Sequence, residues 1–162
     1  TEEAKRRDTP ITKAVVESET DEELSAEEWT KYRAVVGLLM YVSADRPDVQ
    51  YVVNELSGLM SRPTLRAWEA AKHLVRYLIR TKDYALFFDK GTDNCDHITV
   101  MTDSDWATDR QSRKSKSAVH IYAGNCLLYS FTRRQTVIAQ SSAEAEFYAS
   151  KQTHTRTPGK VD

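Results

Sequence analysis

The apolar pattern of this chain changes period once, near Tyr84, and that change restricts the fold more than any other feature of the sequence. Before it, hydrophobic residues recur every three or four positions, the spacing that puts them on one face of a helix. After it they fall in short runs rich in β-branched and aromatic residues, the habit of strands. A helical half followed by a sheet half is an α+β order.

The helical half has three stripes. Ser25-Ala-Glu-Glu28 is a capping box, in which the serine oxygen takes a backbone N–H and the glutamate reaches back. The helix that follows is expected to bury Trp29, Tyr32, Val36, Leu39 and Met40 and to leave Lys31 and Arg33 wet. A break at Ser43 to Arg46 precedes Pro47, which suits a first helical turn because its missing N–H would have no partner there. Val49, Val52, Val53, Leu56 and Met60 line the second helix. Ser61-Arg-Pro-Thr64 ends it and caps a third, striped by Trp68, Ala71, Val75 and Leu78. Lys72, Arg76 and Arg80 share another face of that helix, either a solvated face or a track for phosphates.

In the second half, strands are expected at Ala85 to Phe88, His97 to Met101, Ser117 to Tyr122, Cys126 to Phe131 and Thr136 to Ala139. Ala123-Gly-Asn125 joins two of them as a tight hairpin, since glycine and asparagine tolerate positive φ. An antiparallel sheet is the simplest product. Ser141-Ser-Ala-Glu144 is a second capping box and should open a helix carrying Glu146 and Phe147. Four regions result: a flexible acidic extension at 1–24, a three-helix segment at 25–82, a sheet-bearing region at 83–150 and a polar tail at 151–162.

Composition narrows the class. A chain of 162 residues with 40% hydrophobic content holds one ordinary domain, or one small domain plus a helical appendage. The longest apolar stretch, Val35 to Val42, is too short to span a bilayer, and no amino-terminal signal pattern is present, so an intracellular protein without a membrane partner is expected. Cys95 and Cys126 lack metal-ligand spacing and read as reduced, structural thiols. The net charge of −1 conceals −6 over residues 1–28 and +5 over the remainder. That basic remainder either faces an anionic polymer or is ordinary solvated surface.

Two acidic runs carry the chemistry: Met101-Thr-Asp-Ser-Asp-Trp-Ala107 at a strand end and Ser141-Ser-Ala-Glu-Ala-Glu-Phe147 at a helix start. A hard divalent ion takes oxygen ligands, and a catalytic pair of ions about 4 Å apart needs several converging carboxylates. Glu144 is placed to cap, bonded back to the Ser141 N–H. Glu146, two residues on, points away by about 200° of helix rotation. Asp105 reads as a turn residue or a support for the ligands.

The runs Tyr32-Arg-Ala-Val-Val-Gly-Leu-Leu-Met-Tyr41, Arg46-Pro-Asp48, Trp68-Glu-Ala-Ala-Lys-His-Leu-Val-Arg-Tyr-Leu78, Asp103-Ser-Asp-Trp-Ala107 and Ser141-Ser-Ala-Glu-Ala-Glu146 together resemble the Pol polyprotein of copia-type LTR retrotransposons, where reverse transcriptase runs into ribonuclease H. The resemblance spans Tyr32 to about Ser150. It implies a reverse transcriptase carboxyl-terminal or connection region at 25–82 and a partial ribonuclease H-like fold at 83–150, an incomplete antiparallel sheet with one covering helix. It also implies Asp103 and Glu146 as catalytic, magnesium-binding carboxylates and cleavage of the RNA strand of an RNA–DNA hybrid by two-metal hydrolysis. Arg110, Arg113, Lys114, Lys116, Arg133 and Arg134 would then meet nucleic-acid phosphates, and the remainder of a Pol polyprotein would be the natural partner.

The departures from that pattern are equally specific. The family's later acidic ligands have no counterpart after Ser150, its polymerase Tyr-x-Asp-Asp signature is absent, and its usual glycine and threonine are Ala118 and Lys116 here. With two of the usual four carboxylates the chain is expected to be inactive or very feeble alone. The alternatives are a non-catalytic nucleic-acid-binding module and a decayed structural remnant.

Overall fold

A computed structural model of the chain describes residues 9–10, 22–88, 97–108 and 112–154. The chain divides into two compact units, Thr1–Ala85 and Leu86–Asp162. The architecture is α+β, with four helices and a three-stranded antiparallel sheet among the described residues.

The first unit packs α1 (Ala26–Val42), a 3₁₀ turn at Pro47–Val49 leading into α2 (Gln50–Gly58), and α3 (Leu65–Arg80). Ser25 and Glu28 close the full capping box, so two of the orphan donors at the start of α1 are satisfied reciprocally. Pro47 occupies the first turn, and the Thr64 hydroxyl accepts from the Ala67 N–H at 3.3 Å to start α3. Tyr32, Val36 and Leu39 from α1 meet Val49, Val52, Val53 and Leu56 around α2, and Ala67, Ala71, Leu74 and Tyr77 from α3 complete the core. The buried face of α3 thus lies one step round from the expected stripe: Ala71 is common to both, while Trp68, Val75 and Leu78 flank the core half-buried. Polar contacts account for the rim positions of the two tryptophans. Trp29 stays partly exposed because its indole N–H donates to the Met60 carbonyl at 3.0 Å, and Trp68 sets its ring between the edge of Tyr32 and the Lys72 ammonium. Lys72 also pairs with Glu69, so the basic stripe on α3 is partly neutralised within its own helix.

Glu22 to Leu24 are fixed to this unit, although the sequence placed them in a flexible extension. The Glu22 carbonyl accepts from the Leu65 N–H, the Leu24 N–H donates to the Pro63 carbonyl, and Glu23 pairs with Arg62. Of the rest of that extension, only Thr9 and Pro10 lie within the described residues, and the Thr9 carbonyl bonds the buried His73 ring at Nε2.

A polar network ties the loop before α2 to the end of α3. Arg46 donates twice to Asp48, once to the Thr81 carbonyl and once to the Thr81 hydroxyl, and the Tyr77 hydroxyl donates to Asp48 at 2.8 Å. Hydrogen bonds from Arg46, joined by that from Tyr77, hold the Asp48 carboxyl below its usual value. A carboxyl with a depressed folded pKa contributes stability that is complete above its unfolded value, about 4, and is lost as pH falls through the folded value. Urea unfolding of the first unit is therefore expected to shift to lower urea below about pH 4. Asp48→Asn should remove part of that acid-side slope, and an unchanged slope would contradict the role given to Asp48.

The second unit is an antiparallel sheet of β1 (Ile98–Asp105), β2 (Lys116–Ala123) and β3 (Cys126–Arg134), in the order β1-β2-β3, followed by α4 (Ser142–His154). The β2–β3 hairpin turns at Gly124 and Asn125, with positive φ at Gly124 (55°) and not at Asn125. A register shift after Ile121 accommodates one extra residue in β3. Val119, Ala139, Ala145 and Ala149 are buried where α4 lies on the sheet. Gln135 joins them as a polar core residue: its side-chain nitrogen donates to the Ser117 hydroxyl and the Ala145 carbonyl, both at 2.9 Å, tying the first turn of α4 to β2.

Two expected strands are absent from the described residues. Residues 84–88 form no ladder, and Phe87 is 88% exposed. The Thr136–Ala139 run bends instead of pairing, and the Ala139 carbonyl takes the Trp106 indole N–H at 3.0 Å. Conversely, the first residues of the polar tail extend α4 to His154.

Candidate metal and nucleic-acid site

The site is built at the carboxyl end of β1. Side chains alternate across a strand, so Asp103 and Asp105 leave one face while Thr102 and Ser104 leave the other. The second face is the one α4 covers, because Ser104 meets Glu146 there, and the neighbouring Ser117 and Val119 of β2 are fully buried on it. β1 is the edge of the described sheet, so part of its backbone has no strand partner. Glu146 supplies one: its Oε1 accepts from the Ser104 N–H at 3.1 Å and from the Ser104 hydroxyl at 3.2 Å.

Helix α4 is aimed at this edge by its cap. The Ser141 hydroxyl accepts from the Glu144 N–H at 3.2 Å, as a capping box requires. The Glu144 carboxylate, however, accepts from the Gln140 N–H at 2.7 Å, one residue before the Ser141 N–H expected from sequence. Glu144 is therefore spent on the helix start. Glu146 emerges half a turn later toward Ser104.

Asp103 is exposed beside that contact, and no hydrogen bond or ion pair engages its carboxylate among the described residues. Asp105, the last residue of β1, is likewise exposed; its main-chain oxygen, not its carboxylate, serves the following turn by accepting from the Thr108 hydroxyl at 2.8 Å. That turn is held by Ala107, at φ 50°, whose N–H donates to the buried Ser115 hydroxyl. Asp103 and Glu146 thus lie at one strand end, the aspartate leaving the face away from α4 and the glutamate reaching Ser104 on the α4 side, with no contact between them. Among the described residues, no group of three or more Asp, Glu, His or Cys side chains converges as a metal cage. Magnesium is commonly held by one or two carboxylates with water and substrate phosphate completing its octahedron, and Asp103 and Glu146 are the carboxylates at this strand end that the sequence singles out.

The basic residues divide. In register across the sheet, Asp105 faces Lys116 and Lys116 faces Arg134, while Ser104 faces Ser117 and Ser117 faces Arg133. Arg133 and Arg134 are exposed at the same sheet end as the acids, and Arg113 is exposed in the loop before β2, at φ 56°. Lys114 is half-buried. Lys116 is only 4% exposed, so it can reach a phosphate through its field and not by contact. Arg110 lies outside the described residues, as does Cys95; Cys126 is a free, half-buried thiol. Sequence reasoning missed Ser104 and Gln135. Ser104 lies inside the acidic run, but its partner is 42 residues away, and no local signal marks Gln135 as a core amide.

The chain is similar to two Arabidopsis thaliana proteins, the retrovirus-related Pol polyproteins from transposons RE2 and RE1. It is 37% and 36% identical to them, over 73% of its length and 8% of theirs. It is also 36% identical to secreted RxLR effector protein 161 of Plasmopara viticola, over 73% of this chain and 82% of that protein. The chain therefore spans about 8% of the length of the two transposon polyproteins. No family model and no solved structure matches it. Among the described residues, no helix is long and apolar enough to cross a membrane.

Proposed function

We propose that this chain, similar over 73–75% of its length to retrovirus-related Pol polyproteins from transposons, is a segment of such a polyprotein, of copia type, whose residues 98–154 are part of a ribonuclease H-like unit. The helices before it would be the carboxyl-terminal part of a reverse transcriptase. One observation carries the reading: a glutamate from α4 arrives at the end of β1, beside an exposed aspartate whose carboxylate has no partner among the described residues. Asp103 and Glu146 would hold magnesium, each adding a negative charge and hard oxygen donors. Bound there, magnesium would supply the charge that activates water and steadies the leaving oxygen of a phosphodiester.

The chain's own residues would do the rest. Arg113, Lys114, Arg133 and Arg134, and Arg110 outside the described residues, would meet backbone phosphates, and Lys116 would add positive potential from beneath. Preference for an RNA–DNA hybrid would come from contacts to the 2′-hydroxyl and from groove shape. Two carboxylates hold an ion loosely, so the chain alone should cut feebly.

A labelled RNA–DNA hybrid with magnesium tests this. The expected result is weak cleavage confined to the RNA strand and lost in Asp103→Asn. Hybrid binding that falls with salt but gives no cleavage would favour a non-catalytic nucleic-acid-binding segment. RNA cleavage that survives Asp103→Asn would contradict the site assignment.

A further inference from the structure

We propose that the flank of α3 around His73 is a docking surface for an extended peptide segment, and that its occupant is Thr9 and Pro10 of the same chain. Nothing in this depends on the metal reading given above. His73 sits in the middle of α3 and is only 7% exposed. A buried imidazole N–H without an acceptor carries a desolvation cost, and the carbonyls in the middle of a helix are already taken by the ladder amides. The acceptor comes from 64 residues upstream, where the Thr9 carbonyl lies 2.8 Å from His73 Nε2. A carbonyl can only accept, so Nε2 carries the proton and donates it.

The occupant suits the place. Thr9 precedes a proline, which biases it toward extended backbone. The amide that joins the two residues has no N–H, so the segment lies against the helix, with Pro10 half-buried, and brings no main-chain donor of its own at that position. A second, independent anchor ties the same amino-terminal segment to the start of α3. The Glu22 carbonyl accepts at 2.9 Å from the Leu65 N–H, one of the donors that the first turn of a helix leaves without an internal partner. The Leu24 N–H donates to the Pro63 carbonyl at 3.2 Å, and Glu23 bridges Thr64 in the antiparallel sense and pairs with Arg62. Thr64 and His73 are about 14 Å apart along the helix axis, while the chain from Thr9 to Glu22 can span about 40 Å, so both anchors hold at once without stretching it. Helix α3 therefore receives the amino-terminal segment at two points. In a longer polyprotein, chain arriving from upstream would be led onto α3 before it enters α1.

Nuclear magnetic resonance of the whole isotopically labelled chain tests this through three signals: contacts of Pro10 with residue 73, exchange of the His73 Nε2 proton, and exchange of the Leu65 amide. In the unsubstituted chain Pro10 should show nuclear Overhauser contacts with the His73 ring. The Nε2 proton should exchange roughly tenfold slower than that of the exposed His97, as one hydrogen bond allows. His73→Phe keeps an aromatic ring and deletes the donor, so Pro10 should lose its contacts with α3 while the Leu65 amide, held by the second anchor, stays protected. His73→Gln restores a side-chain N–H and should recover the Pro10 contacts. Contacts that persist in His73→Phe, or that fail to return in His73→Gln, would overturn the hydrogen bond as what seats the segment. Should His73→Phe unfold the first unit, the unsubstituted chain decides. Absence of contacts between Pro10 and His73 there, with an Nε2 proton that exchanges as fast as that of His97, would overturn the docking surface itself.

Discussion

Tyr32→Ala is expected to destabilise the first unit by about 3–5 kcal/mol, the range for emptying a large aromatic from a close-packed core. Tyr32 is fully buried at the meeting of α1, α2 and α3, and its ring edge stands against Trp68 at 6.3 Å between centroids. Its hydroxyl donates to the Leu56 carbonyl at 2.7 Å in a buried setting, and burial raises its phenol pKa. Loss of the ring removes packing for all three helices at once, so the cavity should collapse only in part. Tyr32→Phe separates the contributions: it keeps the ring and should cost about 1 kcal/mol, the net worth of one hydrogen bond. The Leu56 carbonyl then keeps the Leu59 N–H as a donor, which limits the penalty. Urea unfolding measures both. A loss under 1 kcal/mol for Tyr32→Ala would mean that the three helices do not share one core.

Much of that core was legible because helical periodicity is a local property. Tyr32, Val36 and Leu39, and Val52, Val53 and Leu56, follow from spacing alone, and both caps, at Ser25 and Thr64, follow from side chains that bond within three residues. The hairpin was legible for the same reason, since Gly124 supplies the positive φ its turn requires. Features decided by distant partners were not. Ala85 to Phe88 has the residue types of a strand, but strand preference is largely a preference for packing on a sheet surface, and no described neighbour offers one. Thr136 to Ala139 gives its last carbonyl to Trp106 instead of to a ladder. The buried face of α3 is decided by packing of Ala67, Ala71 and Leu74 against α1 and α2, and the buried amide of Gln135 depends on Ser117 and α4 together.

The site shows the same division. The separation of Glu144 from Glu146 was readable from helix geometry, because a cap and an exposed carboxylate two residues further on cannot point the same way. The cap itself closes on Gln140 and not on Ser141, a one-residue difference in loop backbone that composition does not encode. The meeting of Glu146 with Ser104 joins elements 42 residues apart and was readable only as an expected convergence on the strand end.

The second large effect expected is on metal affinity. Asp103 and Glu146 are the only carboxylates proposed as ligands, so removing either should do more than weaken the site. A site with so few charged ligands is expected to bind with a dissociation constant on the order of 10⁻³ M, as weak calcium modules do. Asp103→Asn and Glu146→Gln each keep side-chain volume while deleting half of the negative charge, and each should abolish saturable binding in that range. The Glu146 change should leave α4 in place, because the helix is held by Gln135, Ala145 and Ala149 and by its own cap.

Paramagnetic broadening of backbone amide resonances by manganese tests the pairing of these two residues most directly. The expected result is broadening centred on residues 103–105 and, at the same manganese concentration, on residues 145–147, with both patches disappearing in Asp103→Asn and in Glu146→Gln. Broadening confined to one patch, centred elsewhere in the chain, or retained in both variants would contradict the claim that Asp103 and Glu146 form a single divalent-ion site.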